Sequence, residues 1–376
     1  MKRILLASML LVLPIAAAAE SRELTYVDLV NRMIDIERLA VPPQPGDRSE
    51  QWSSYDRKSR YDPETDSYIQ WAANDDGTGF VRKEGDLYVL AEIGGPGCIW
   101  RIRPALATEG HVKIYLDGTT EPTVDLPFSG YFNGENPPFT YPSLVHEVAH
   151  GLNGYVPIPF QKSCKIVAEE GWGKYFHFTY QKFPEGTVVP TFTRELSADD
   201  EAAPRAVDEF LSNRLGTDPA GSRPGEITQR TNVPVPAGET VTVAEITGER
   251  AISAFRVRLD REALGDPANA LRQIVLRITW DDDKAPAVWC PLGDFFGTAP
   301  GINYYESLLA GMTGEEFYSL WYMPFGEKAL IEVVNESNAE VRMAVAITHA
   351  PLSSPIEELG RFHVKWHRDA LLPAQP

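Results

Sequence analysis

The sequence predicts an all-β fold of two tandem jelly rolls made by internal duplication, with an N-terminal helix and arm and a helical linker. Three observations predict it. From Leu87 onward, short runs of alternating apolar and polar residues recur between Gly- and Pro-rich turns. Helical periodicity is confined to two stretches. One long pattern occurs twice: IYLDGTTEPTVDLPFSGYFN, closing YVPIPF, returns as ITWDDDKAPAVWCPLGDFFG, closing LWYMPF. Asp117 then aligns with Asp281, Pro122 with Pro286, Pro127 with Pro291 and Phe132 with Phe296, an offset of 164 (281 − 117). Pro159-Phe160 aligns with Pro324-Phe325 at an offset of 165 (324 − 159). A period of that length means two copies of a whole domain, not a solenoid.

In chain order, Lys2 and Arg3, the apolar run Ile4–Ile15 and the small residues Ala16–Ala19 read as a secretory signal peptide, 1–19. The cleavage region holds no Cys for a lipid anchor, and no later stretch is long and apolar enough to span a membrane. The expectation is an exported protein, periplasmic or extracellular. Residues 20–86 form an N-terminal helix and arm. Thr25 with Asp28 marks a helix start, and Thr25 to Ala40 carries helical spacing until VPPQPGD ends it. The following segments, QWSSYDRKSRYD and YIQWAANDDGTG, are dense in aromatic and hydrogen-bonding side chains. They read as binding loops or as an arm stitched onto a sheet. The first jelly roll, 87–195, is marked by LYVLAEI, CIWRIRP, VKIYLDG and YFHFTYQ, whose period of two belongs to half-buried antiparallel strands. The linker, 196–225, opens on a helix from Ser197 to Leu215, with Ser197 and Asp200 at its start and Gly216 at its end. The second jelly roll, 226–368, repeats the strands, AFRVRLD matching IWRIRP, and a tail, 369–376, follows.

The 376 residues carry a formal charge of −18, or −20 once Lys2 and Arg3 are removed (−18 − 2). That balance argues against nucleic acid or anionic membrane as partners and suits a neutral ligand such as an oligo- or polysaccharide. Cys98, Cys164 and Cys290 are too few and too scattered for a disulfide framework and read as buried thiols.

Two constellations carry chemistry. His146-Glu147-Val148-Ala149-His150 matches H-E-x-x-H, which binds zinc when two His lie one helical turn apart. The duplication argues against it, because Tyr141, Ser143 and Leu144 align with Tyr305, Ser307 and Leu308, placing the motif in a loop or strand of a β-domain. The second constellation is acidic and aromatic. Glycoside cleavage uses two carboxylates across the bond, about 5–5.5 Å apart when configuration is retained, and sugar rings seat on aromatic faces. Asp294 in PLGDFFG and Glu306 in NYYES have no acid at their counterparts, Gly130 and Pro142. A catalytic acid is needed in one copy only, so these two single out the second domain.

In their order, SSYDR, W-x-x-N-D, GPG-C-I-W-R-I, IYLDG, YVPIPF, PLGDFFG, MPF and FHVKW resemble the domain of unknown function 2961, now classed as glycoside hydrolase family 172. The resemblance runs from Trp52 to Arg368. It implies a double jelly roll, a trimeric or higher homo-oligomer, and retaining hydrolysis of furanosides of the α-D-fructofuranoside or α-D-arabinofuranoside type, with no metal or other cofactor required. It also implies two glutamates in the second jelly roll. Members often carry an acid just before PLGDFFG, where this chain has Trp289. The leading expectation is therefore an exported retaining furanosidase. Glu306 is its nucleophile or acid/base, and Asp294 the partner or an orienting group. Asp56, Arg57, Trp71, Asn74, Asp75 and Trp289 contact the sugar, the arm residues reaching a neighbouring protomer's site. The alternatives are a non-catalytic glycan-binding or structural jelly-roll protein, favoured by Trp289, and a zinc peptidase.

Overall fold

The computed structural model describes residues 22–71, 75–260 and 264–368. The expected signal peptide, Asn74 and the 369–376 tail lie outside the described residues. Eight strands carry the two main sheets of the first domain, β1 (Arg48–Ser53), β2 (Leu87–Gly94), β3 (Gly97–Ala107), β4 (His111–Leu116), β5 (Val124–Pro127), β6 (Gly151–Gly154), β7 (Ser163–Ala168) and β8 (Gly173–Lys182), and the short strands Arg82–Glu84, Val145–Val148 and Ile158–Phe160 join them. One sheet runs β1-β8-β3-β6 and the other β2-β7-β4-β5, a jelly-roll order. The second domain repeats it with β9 (Ile227–Val235), β10 (Thr240–Thr247), β11 (Arg250–Leu259), β12 (Ile274–Trp280), β13 (Val288–Pro291), β14 (Phe317–Ser319), β15 (Lys328–Asn335) and β16 (Val341–Pro351). Its sheets run β9-β16-β11-β14 and β10-β15-β12-β13, so each strand matches the one eight numbers earlier. Alternation explains the layers. In β4, Val112, Ile114 and Leu116 are buried, and in β16 Val341, Met343, Val345 and Ile347 are buried, each set entering the core between its two sheets.

The repeated aspartates have one structural job. Asp117 and Asp281 both sit at positive φ, +56° and +52°, just after β4 and β12. The Asp117 carboxylate accepts backbone N–H bonds from Gln161, Lys162 and Ser163 at 3.2, 2.5 and 3.1 Å. Asp281 accepts from Gly326, Glu327 and Lys328 at 2.9, 2.6 and 3.2 Å. Each clamps its strand end to the turn that follows the Pro-Phe pair.

The helices differ from expectation at one end of the molecule. The first is shorter than Thr25–Ala40. The Thr25–Asp28 capping box starts α1 (Tyr26–Asn31), the chain turns at Arg32, and a separate 3-10 turn covers Glu37–Ala40. Tertiary packing overrides local spacing here. Val30 belongs to the first core, whereas Ile36 and Ala40 pack on Ala251, Ala254, Tyr318, Leu320 and Tyr322 of the second domain. The chain must bend to reach both. The linker helix, α2 (Ala198–Asn213), is capped by Ser197 as expected and packs against α1. The arm is part sheet: β1 pairs along its length with β8, Trp52 facing Phe178.

Candidate functional site

The second domain holds a pocket of about 220 Å³ on the outer face of β12 and β13, lined by Arg272, Val275, Trp289, Cys290, Pro291, Glu336 and Trp366. Alternation along β13 buries Val288 and Cys290 and leaves Trp289 outside, 47% exposed. Asp294 stands beside it on the single turn α4 (Leu292–Phe295), whose Leu292 and Phe295 enter the core and so turn the carboxylate outward. Arg272 comes from the last turn of α3 (Pro267–Gln273), which Asp266 caps through the Ala268 N–H at 3.1 Å. Trp366 arrives from the C-terminal segment, where Val364–Lys365 runs parallel to β13 and the Trp280 indole donates to the Phe362 carbonyl at 2.8 Å.

Asp294 is not itself a wall of this pocket but ties two of its walls, Arg272 and Trp366, together. Its two oxygens accept from Arg272 Nε and Nη2, each at 3.2 Å, and Oδ1 also accepts from the Trp366 indole at 3.2 Å. A carboxylate so engaged orients its neighbours. It holds Arg272 in place and sets the Trp366 ring in the wall that Trp289 shares. Cys290 is buried, and its thiol is pushed up to about 12 by burial and then by the charge of Asp294.

Glu306 is placed elsewhere. It lies on the short strand Tyr305–Glu306, which pairs with Ala310–Met312 at the far edge of the sheet containing β14. Tyr305 turns inward and donates its hydroxyl to the Phe296 carbonyl, so this edge touches the segment that follows Asp294. Glu306 is the next residue, is exposed, and is not among the walls of the Trp289 pocket.

The predicted arm residues gather on the first domain. Asp56 Oδ1 accepts from the Lys58 N–H and Oδ2 from the Asp75 N–H, both at 3.0 Å. Those two backbone donors hold its carboxyl below the usual range. Lys58 pairs with Asp75 at 2.9 Å. Arg57 lies over the Tyr55 ring at 4.6 Å and donates to the carbonyls of Ser53 and Tyr55. Trp71 is 75% exposed and packs at a tilt against Tyr68, which meets Tyr61 across the hairpin formed by Arg60–Asp62 and Ser67–Ile69. This part of the arm meets the first domain where Gly77 approaches the Tyr175 ring.

H-E-x-x-H is not helical. Val145–Val148 pairs with β6, and Ala149 and His150 form the turn between them at φ +51° and +58°. A hairpin cannot set the two His one helical turn apart, so the motif's zinc-peptidase context fails. Sequence reasoning missed Arg272, Glu336 and Trp366. Their only signals were a basic residue at a helix end and an aromatic in FHVKW, and neither points to Asp294.

Two family models match the chain: GH172 first beta-sandwich domain over residues 45–200, and GH172 domain-like over residues 225–347. No curated protein matches. Among solved structures, the STIV MCP is 10% identical, with 80% of this chain and 97% of that chain covered and a TM-score of 0.20. The major capsid protein P2 from bacteriophage PM2 is 9% identical, with 72% and 94% covered and a TM-score of 0.18. A conserved protein of unknown function from Pseudomonas aeruginosa PAO1 is 6% identical, with 81% and 99% covered and a TM-score of 0.15.

Proposed function

The chain belongs to glycoside hydrolase family 172, and from that membership we propose that it is an exported retaining hydrolase of furanoside-containing glycans. The observation that carries the reading is the pocket lined by Trp289 and Trp366 beside the Asp294–Arg272 pair. Aromatic faces with a few fixed polar groups suit a sugar ring. Asp294 takes the orienting role. Glu306, on the sheet edge outside that pocket, is one of the two carboxylates that retention requires: as nucleophile it displaces the leaving oxygen, which takes its proton from a second acid, or as acid it supplies that proton while the second carboxylate attacks, and water then hydrolyses the covalent glycosyl intermediate. The arm residues Asp56, Arg57, Trp71, Asn74 and Asp75 complete the site from a neighbouring protomer in a homo-oligomer, a trimer or a multiple of one.

The experiment is a screen of aryl α- and β-furanosides of arabinose, fructose and galactose, with wild type and two variants. Glu306→Gln is expected to lower kcat by about a hundredfold or more. Asp294→Asn is expected to cost about ten- to a hundredfold through misplaced Arg272 and Trp366. Wild-type activity in Glu306→Gln removes that residue from the mechanism. A second reading, a non-catalytic glycan-binding protein, is favoured by Trp289 at a position where an acid was expected. Oligosaccharide binding without product in any arm of the screen selects it.

A further inference from the structure

Both domains carry an Arg-x-Arg pair on the outer face of the sheet built around β3 or β11. Arg101 and Arg103 face Thr179 and His177 across β8, and Arg256 and Arg258 face Ala346 and Ala344 across β16. In each copy the first arginine lies over a tyrosine, Arg101 over Tyr155 at 5.6 Å and Arg256 over Tyr318 at 5.7 Å. The copies differ in counter-charge. Glu316 accepts from Arg256 Nη1 at 2.5 Å and Arg258 Nε at 3.2 Å. In the first domain Arg101 meets the neutral amide oxygen of Asn153, at 2.8 and 3.3 Å. Among the described residues no carboxylate pairs with Arg101 or Arg103.

The hairpin that carries H-E-x-x-H shapes this place. It contributes Asn153, and a Cβ at Gly151 would meet Arg103 Nη2 at 2.9 Å, so the glycine leaves the room the guanidinium occupies. Beyond β8, on the edge strand β1, Ser53 faces His177 and its carbonyl accepts from Arg57 at 3.0 Å. His177 is held below the usual imidazole range by burial and then by Arg103 and Arg101. Two half-buried guanidinium groups without counter-charge are an anomaly on a chain of formal charge −18.

We propose that Arg101 and Arg103 form a subsite for one oxyanion, a carboxylate or a sulfate or phosphate ester, carried by an acidic saccharide. Guanidinium forks bind such groups through paired N–H bonds. The site lies on the first domain and does not rest on the hydrolytic reading: an inactive protein that binds the anion leaves it standing.

The test is calorimetric titration of the full chain with a galacturonate trimer, a neutral galactose trimer and sodium sulfate. The expected result is one galacturonate trimer bound per chain, no binding of the neutral trimer, and affinity that falls with salt. Arg101→Gln and Arg103→Gln are each expected to weaken binding about tenfold or more. Arg103→Lys, which keeps charge without the fork, is expected to lie between. Glu316→Gln is expected to raise the stoichiometry from one to two, because it leaves Arg256 and Arg258 without their partner. Sulfate binding as tight as galacturonate supports the oxyanion chemistry and assigns it to a free anion. Absence of binding by both anions, equal binding of the neutral trimer, or affinity unchanged in both glutamine variants of folded protein overturns the proposal.

Discussion

Cys98, Cys164 and Cys290 are all free and buried, as their apolar contexts implied. Burial raises each thiol well above its ordinary range, so each is poorly ionised and shielded at once. A thiol reagent at pH 8 is expected to find no rapidly reacting group in the native protein and all three after denaturation. The paired aspartates give a second residue-scale prediction. Burial pushes the Asp281 carboxyl up, but the N–H donors of Glu327, Lys328 and Gly326 and the Arg361 guanidinium outweigh it, leaving a net lowering. A lowered folded pKa stabilises the fold above the unfolded value of about 4, and that stabilisation is lost as pH falls through the folded one. Asp281→Asn is therefore expected to flatten the acid limb of a stability curve and to cost about 2 kcal/mol at pH 7 by chemical denaturation. The shared turn role of Asp117 and Asp281 was legible because a sequence repeat preserves local geometry. The Asp294 site was not, because Arg272 and Trp366 lie 22 and 72 residues away in sequence and meet only after the sheet and C-terminal segment have packed.

Among the elements, the strands were the most legible, since a half-buried sheet imposes its period of two on the residues. The helical reading of Thr25–Ala40 ran too long because periodicity reports local fit, and this segment serves two cores. The start of the linker helix was better marked, and Ser197→Ala is expected to cost about 1 kcal/mol in a melt by removing the bond from the Asp200 N–H. The H-E-x-x-H hairpin supplies a discriminating element-scale test. Ala149 and His150 both occupy the left-handed region, where a side chain is costly. His150→Gly is expected to raise stability by about 1 kcal/mol. A metal-dependent peptidase would instead lose activity through the same change, so a melt and a peptidase assay with added zinc separate the readings.

At the scale of the whole molecule, the duplication predicts two similar bodies, and the structure adds what joins them. Arg223 is the centre of the joint. Its side chain is 10% exposed, pairs with Glu37 at 2.7 Å and with Asp218, and lies over the Tyr322 ring. Glu37 also accepts from Ser353 at 3.1 Å. Arg223→Ala is expected to cost about 1–2 kcal/mol, because it takes the shared partner from two part-buried carboxylates, and to split one thermal transition into two in a calorimetric scan. None of this could be read from motifs, since the partners lie 186 and 316 residues apart in sequence. The short turn Glu37–Ala40 thus belongs by sequence to one half and by contact to the other. A gene severed at the linker would yield a later fragment with Ala251, Ala254 and Leu320 stripped of their cover, prone to clumping, and a synthetic peptide spanning Asp35 to Val41 should keep it in solution.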